Sequence, residues 1–186
     1  GLFLRKGSDT YDRFRGRIMF PIEDRLGRTV GFTGRIFETD GARLKDRGER
    51  EGKYVNTPET AIFNKSKLFY GFSTTKHAIR EQNACVFVEG QMDFLMSYQA
   101  GLKNVVATSG TAMTQDHLTQ LKYLTKRLIF VFDADLAGQH ATERAIEMAQ
   151  HAGFEPRIVR ILEGKDPGEY FMERSVTPEA FEKESI

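Results

Sequence analysis

Residues 84–90 read ACVFVEG and residues 128–135 read LIFVFDAD, and these two stretches decide the fold. Each is an apolar run, rich in β-branched and aromatic residues, that ends on acidic residues, which is typical of a buried strand in a parallel sheet. Glu89, Asp133 and Asp135 would then lie at the carboxyl ends of strands, where open α/β sheets bind ligands. Carboxylates grouped there suit Mg²⁺, which proteins hold with a few carboxylates together with substrate phosphates.

The chain from residue 73 onward alternates between helix and strand patterns. It predicts helices at 74–82, 92–100, 115–124 and 137–152, and strands at 84–88, 104–107, 127–132 and 156–162. Such alternation is typical of βαβ units, so we expect an α/β fold with a four-stranded parallel sheet flanked by helices. Ser73 is the predicted N-cap of the first helix.

Further acids and polar groups fall near the same edge of the predicted sheet. Asp93 lies one turn into the second helix and can face back toward Glu89, and Asp166 follows the fourth strand. The polar residues 108–111 follow the second strand, where their backbone N–H groups could meet a phosphate.

The first part of the chain has a different, antiparallel pattern. Alternating stretches at 17–22 and 28–32 flank a short polar turn, and 53–56 is a third short strand. A smaller, mixed α+β subdomain with antiparallel strands therefore precedes the parallel sheet. Arg13, Arg15 and Arg17 alternate, which predicts one basic face on an extended segment, suited to phosphate oxygens or simply to solvent.

The composition is that of a globular protein: 40% hydrophobic and 28% charged residues, with a net charge of +1. Residues 1–56 hold 13 basic and 9 acidic residues, whereas the remainder holds 14 and 17, a contrast that fits a nucleic-acid enzyme or ordinary sampling. The single cysteine favours a reducing compartment, and no apolar run has the length of a membrane helix. The chain opens on Gly1, which suggests a fragment of a longer protein, and its four histidines are expected on helix surfaces.

Residues 88–93 (VEGQMD) and 132–138 (FDADLAG) together resemble the Toprim domain. Bacterial primases, type IA and type II topoisomerases, and some recombination and nuclease proteins share that domain. Other motifs resemble those of the DnaG-type primase catalytic core: 12–22 (DRFRGRIMFPI), 34–35 (GR), 53–60 (KYVNTPET), 63–66 (FNKS), 108–112 (TSGTA) and 163–167 (EGKDP). The resemblance implies a basic subdomain at 1–72, a Toprim domain at 73–175 and the start of a helical segment at 176–186.

The same resemblance implies a function: template-directed synthesis of short RNA primers on single-stranded DNA during replication, by two-metal nucleotidyl transfer. Glu89, Asp133 and Asp135 would bind Mg²⁺, or Mn²⁺ in its place, and Asp93 and Asp166 would support the site or hold further metal. The residues expected to meet template and nucleotide phosphates are Arg15, Arg35, Lys53, Asn56 and Lys65, with Arg13 added from the alternation of arginines.

The implied partners are single-stranded DNA, NTPs and the RNA primer–DNA hybrid, with the replicative helicase bound by a region outside this sequence. The implied location is the bacterial nucleoid, without membrane attachment. The chain departs from the family pattern at Gln91 (usually Tyr), at Ala134 (usually Gly) and at Gly168 (often a second acid).

Three other functions compete with this hypothesis. A Toprim topoisomerase or nuclease would share the acids but not the arginine-rich motifs of the first subdomain. A haloacid-dehalogenase-type phosphatase would use Asp133 as a covalent nucleophile, although that motif normally opens its domain. A metal-binding scaffold would recruit DNA or helicase without catalysis.

Overall fold

A computed structural model describes residues 2–37, 52–131 and 136–159, with the backbone alone for Lys6 and residues 136–142. Nine strands and four helices lie within those ranges. None of these helices combines the length and the apolar composition needed to cross a bilayer.

The first five strands form two small antiparallel sheets. β1 (Phe3–Lys6) pairs with β2 (Asp9–Asp12). In the second sheet, β4 (Thr29–Ile36) lies between β3 (Arg17–Glu23) and β5 (Tyr54–Asn56). The predicted antiparallel subdomain is therefore confirmed.

The turn between β3 and β4 is built by one aspartate. Asp24 Oδ1 accepts hydrogen bonds from the backbone N–H groups of Leu26 at 2.8 Å and Arg28 at 3.1 Å. Gly27 closes the turn with φ of +82°, a conformation that glycine adopts without steric cost. The polar residues that suggested a turn in the sequence thus satisfy its backbone directly.

The second half of the described chain is the predicted parallel sheet. Its strands are β6 (Ala84–Val88), β7 (Val105–Ala107), β8 (Arg127–Phe130) and β9 (Glu155–Ile158), in the order β7-β6-β8-β9. The helices are α1 (Phe72–Gln82), α2 (Gln91–Gln99), α3 (Gln115–Leu121) and α4 (Leu136–His151). The α/β fold class and the four-stranded parallel sheet flanked by helices are confirmed.

Both faces of this sheet are buried, because successive side chains of a strand point to opposite sides. On one face Val86 packs in a cluster with Ile22 and Phe63 of the antiparallel subdomain, together with side chains of α2. On the other face Phe87 and Phe130 stack with 5.1 Å between ring centroids, under α1, α3 and α4. The antiparallel subdomain thus shares a hydrophobic core with the sheet.

Helix α1 does not begin as predicted. Its N-cap is Gly71, with φ of +84°, and the helix starts at Phe72. The Ser73 hydroxyl donates its hydrogen bond to the carboxylate of Glu23 on β3. The prediction of Ser73 as N-cap was wrong because this side chain links the two subdomains instead of closing its own helix.

Candidate metal and nucleotide site

Glu89 lies at the carboxyl end of the central strand β6, as the sequence predicts. It follows Val88 directly and is partly buried, with its Oε1 shielded from solvent. Two backbone hydrogen bonds join this end of β6 to the loop after β7: Thr108 N–H donates to Val88 O and Gly110 N–H donates to Glu89 O, each at 3.4 Å. The position of Glu89 is therefore fixed by the sheet and by a neighbouring loop.

Asp93 turns back toward Glu89, as predicted from the helical spacing. It is the third residue of α2, and its Oδ2 accepts a hydrogen bond from the backbone N–H of Gly90 at 2.9 Å. A carboxylate in the first turn also interacts favourably with the helix dipole. In this structure Asp93 therefore stabilises the turn that carries Glu89.

The strand that leads to Asp133 runs beside β6. Phe130 pairs with Phe87, and Val131 N–H donates to Phe87 O at 2.9 Å, so the parallel pairing continues to the last residue described before the gap. Asp133 itself lies outside the described residues, as do the two other predicted ligands, Asp135 and Asp166. In the ranges that the structure covers, no three potential metal ligands cluster, so the predicted ligand set stays a prediction.

A cavity of about 450 Å³ opens at this edge of the sheet. Its lining includes Glu89, residues 110–112 of the loop after β7, and Arg144 of α4. The loop's N–H groups at residues 108, 110 and 111 each donate to backbone carbonyls. The N–H groups of Thr108 and Gly110 thus brace the end of β6, and that of Thr111 bonds Thr108 O within the loop. The expected contact of this loop with a phosphate stays a prediction.

A second cavity, of about 430 Å³, gathers three of the predicted binding residues. Arg13, Asn56 and Lys65 all line it, although they come from three separate segments. The Arg13 Nε–H donates to the backbone carbonyl of Asn56 at 3.0 Å, which orients the guanidinium. The buried Oδ1 of Asn56 has no hydrogen-bond partner among the described residues. We call this cavity the basic pocket.

The electrostatics of the basic pocket favour an anion. Burial lowers the pKa of Lys65, and the carboxylate of Glu59 acts in the opposite direction. A partly desolvated ammonium gains more from a phosphate than a solvated one, since the attraction is less screened.

The predicted basic face of alternating arginines does not form. Residues 13–16 make a turn between β2 and β3, and Gly16 has φ of +64°, so the three side chains diverge. Arg15 is exposed, with its guanidinium 5.3 Å from the centroid of the Tyr11 ring. Arg17 donates to the carbonyls of Gly34 and Gly52, each at 3.1 Å, so it binds protein backbone. The prediction of one basic face from the alternating arginines was wrong, because residues 13–16 form a turn and not an extended strand.

The two remaining predicted cations, Arg35 and Lys53, both lie next to Tyr54, a residue that lines the basic pocket. The Arg35 guanidinium lies 5.9 Å from the centroid of the Tyr54 ring, and Tyr54 lines the pocket. Lys53 is exposed immediately before Tyr54. The structure thus gathers Arg13, Asn56 and Lys65 at the basic pocket, whereas Arg15, which is on the same turn as Arg13, does not line it.

One residue that the sequence did not single out is His117. His77 and His151 are exposed, as expected, but His117 is fully buried, so for it the expectation of a surface position was wrong. Its Nδ1 accepts a hydrogen bond from Thr114 N–H at 3.3 Å, within a capping box at the start of α3. The spacing of Thr114 and His117 was the available signal, because N-cap and third helical residues commonly bond each other's backbone.

Comparison with known proteins agrees with this architecture in both halves of the chain. A family model described as "DNA primase catalytic core, N-terminal domain" matches residues 1–76, and one described as "Toprim-like" matches residues 86–171. The structure of a DnaG primase catalytic domain bound to ssDNA superimposes with a TM-score of 0.84 at 33% identity, over 100% of this chain and 56% of that one. The chain belongs to the DnaG-type primase catalytic core family. The catalytic core of the E. coli primase gives a TM-score of 0.82 at 35% identity, over 98% of this chain and 56% of that one.

A curated relative of this chain is a much longer protein. The DNA primase of Lactococcus lactis is 38% identical over 170 residues, which are 91% of this chain and 25% of that protein. The chain therefore spans about a quarter of the length of such relatives.

Proposed function

We propose that this chain forms part of the catalytic core of a DNA primase, a nucleotidyltransferase that makes short RNA primers on single-stranded DNA during replication. The observation that carries the proposal is the pairing of β6 with β8, because it brings the ends of both acidic strands to one edge of the sheet. Carboxylates from two adjacent strands can then share bound metal.

The side chains proposed for the metal site fit a hard divalent cation. Glu89, Asp133 and Asp135 offer carboxylate oxygens, the donors that Mg²⁺ and Mn²⁺ prefer, and Asp166 adds a further candidate. Bound divalent cations would polarise the α-phosphate and stabilise the charges on the attacking and leaving oxygens. Asp93 contributes by holding the Gly90 turn, so we assign it a supporting role.

The basic pocket is proposed to bind nucleotide or template phosphates. Lys65 and Arg13 supply positive charge there, and the buried Oδ1 of Asn56 supplies an acceptor for a hydroxyl or amino group. Arg15, Arg35 and Lys53 are exposed or half-buried on neighbouring surface, where they would attract the DNA backbone through long-range charge.

Other features of the whole protein remain part of the proposal. They comprise the division at 1–72, 73–175 and 176–186, the use of NTPs, the binding of an RNA primer–DNA hybrid, contact with a replicative helicase through another region, and a place at the bacterial nucleoid. The solved DnaG catalytic domain with ssDNA supports the choice of single-stranded DNA as template partner.

The alternatives gain less support. A topoisomerase, a nuclease or a haloacid-dehalogenase-type phosphatase would leave the match of residues 1–76 to a primase N-terminal domain unexplained. A non-catalytic, metal-binding scaffold would use the same carboxylates, and the assay of RNA synthesis below separates it from an enzyme.

The test is RNA synthesis from NTPs on a single-stranded DNA template with Mg²⁺ or Mn²⁺, using the full-length protein. Asp133→Ala should lower synthesis by more than the roughly 10- to 100-fold that loss of an outer-shell metal partner costs, while most DNA binding remains. Glu81→Ala, which changes an exposed acid on α1, is the matched control and should synthesise normally. Labelled product that does not depend on template, or full synthesis by Asp133→Ala, would contradict the proposal.

A further inference from the structure

Helix α3 holds the segment that carries Lys65. Three successive carbonyls, at residues 66–68, face three side chains of α3 and its N-cap. Thr114 Oγ1 donates to the first at 2.6 Å, and Gln120 Nε2 donates to the second at 2.8 Å. His117 Nε2 lies 3.1 Å from the third. The short 3₁₀ turn that begins at Lys65 is thus bonded along its length to the Toprim half of the molecule.

The protonation of His117 follows from its contacts. Nδ1 receives the backbone N–H of Thr114, so it acts as an acceptor and the ring proton must sit on Nε2. Nε2–H then donates to Leu68 O. The ring is stacked on Phe69, with 4.4 Å between centroids, and is shielded from water.

Burial keeps this ring neutral. It lowers the pKa of His117, while the carbonyls of Leu68 and Lys65 and the exposed carboxylate of Asp116 act in the opposite direction. The charged groups of the facing segment are the ammonium groups of Lys65 and Lys67, and Lys67 Nζ lies 3.9 Å from the Asp116 carboxylate. His117 therefore presents one fixed donor.

These hydrogen bonds hold the backbone from which the Lys65 side chain extends to the basic pocket. Asn64 Oδ1 accepts from Ser66 N–H at 3.0 Å and closes the same turn from its other end. With the backbone held on both sides, the freedom left to Lys65 is that of its side chain alone. A lysine of fixed origin loses less entropy when it binds a phosphate than one on a mobile loop.

We propose that His117 is a positioning residue for substrate binding: its Nε2–H holds the Leu68 carbonyl and so directs Lys65 toward a nucleotide or template phosphate in the basic pocket. This inference rests on the phosphate-binding role proposed above for Lys65. It extends the functional site to α3, whose residues do not line the basic pocket.

Two substitutions of His117 test separately its hydrogen bond to Thr114 N–H and its hydrogen bond to Leu68 O. His117→Asn retains an acceptor near Nδ1 for the helix cap but removes the donor to Leu68. His117→Gln places an amide near Nε2, which preserves the donor, but it loses the cap. RNA synthesis by the full-length protein should show a KM for NTPs raised roughly three- to tenfold in His117→Asn, with kcat little changed and less effect in His117→Gln.

A purely structural role predicts another pattern. Loss of folded protein lowers the apparent kcat and leaves KM unaltered, because the surviving molecules are intact. Equal KM values in His117→Asn, His117→Gln and the parent protein would overturn the inference.

A surface substitution tests the same bonding without disturbing the core. Gln120→Ala removes the bond to Lys67 O and should raise KM in the same direction as His117→Asn. Thr119→Ala is its control, since Thr119 is exposed and its hydroxyl donates to the Gln115 carbonyl within α3. If Gln120→Ala behaves like Thr119→Ala, the bonded turn does not govern Lys65 and the inference fails, even where a His117 variant does not fold.

Lys65→Ala distinguishes a failure of this inference from a failure of the proposed function. If Lys65→Ala leaves KM and DNA affinity unchanged, the phosphate-binding role of Lys65 itself is wrong. If Lys65→Ala raises KM and His117→Asn does not, only the positioning role is wrong. When both roles hold, the double variant should be no worse than Lys65→Ala alone, because His117 acts through Lys65.

Discussion

Among the glycines that the structure describes, Gly71 is the one where an added methyl group should cost the most, because two separate effects coincide there. Its φ of +84° is a left-handed conformation that costs an L-residue about 1–2 kcal/mol. A Cβ built at Gly71 would lie 2.0 Å from Phe94 Cε2 and 2.2 Å from Phe94 Cζ. Carbon atoms in contact normally stay about 3.5–4.0 Å apart, so the ring would have to move.

Phe94 has little room to move. It is 5% exposed, and its ring lies 5.1 Å from the Tyr70 ring and 5.7 Å from the Tyr98 ring. Forcing extra volume into a packed core costs about 1–3 kcal/mol. Gly71→Ala should therefore lower the free energy of unfolding by roughly 2–5 kcal/mol in total. That is a large share of the roughly 5–15 kcal/mol typical of a folded domain.

Gly153 provides the matched control. Its φ of +83° is nearly the same, but no atom lies within 4 Å of a Cβ built there. Gly153→Ala should therefore show the backbone strain alone, and urea unfolding of both variants isolates the clash as a difference of about 1–3 kcal/mol. Equal losses in the two variants would refute the packing of Phe94 against Gly71, and with it the described junction between the antiparallel subdomain and α2.

Two further predictions concern side chains near the proposed site. Asp93→Ala removes the acceptor for Gly90 N–H and should cost about 1 kcal/mol in urea unfolding, whereas Asp93→Asn keeps an oxygen there and should recover most of it. Asp116→Ala, at an exposed first-turn acid of α3, is the control, and an equal loss there would show that Asp93 acts only through the helix dipole. Because burial lowers the pKa of His117 below its usual 6.5, the unfolded chain binds the proton first as the pH falls, so stability should decline below about pH 6.5. His117→Gln should flatten this decline and His77→Gln, at an exposed ring, should not; an unchanged slope in His117→Gln would show that His117 is not held neutral.

Local patterns in the sequence were sufficient to predict the helices and strands and the direction of some side chains. The apolar run before Glu89 and the spacing to Asp93 gave the strand, the turn and the backward-facing carboxylate. These features depend on residues within a few positions of one another, so the period of a strand or a helix encodes them. Asp133, Asp135 and Asp166 lie outside the described residues and remain predictions.

Other predictions were wrong because the side chain forms a hydrogen bond with a residue far away in the sequence. Ser73 bonds Glu23, 50 residues away, instead of capping its helix. Arg17 bonds the Gly34 carbonyl because the chain turns before it, which dispersed the predicted basic face. His117 is buried because another segment, residues 65–68, packs over it.

The sequence by itself determined the alternation of helices and strands and the acids that follow β6 and β8, since hydrophobic periodicity is a local property. Only the tertiary structure decided that β8 lies next to β6, and that Arg13, Asn56 and Lys65 line one pocket. The physical reason is that a sheet buried on both faces selects its strand order by packing all of its side chains at once, so no short segment specifies its own neighbour.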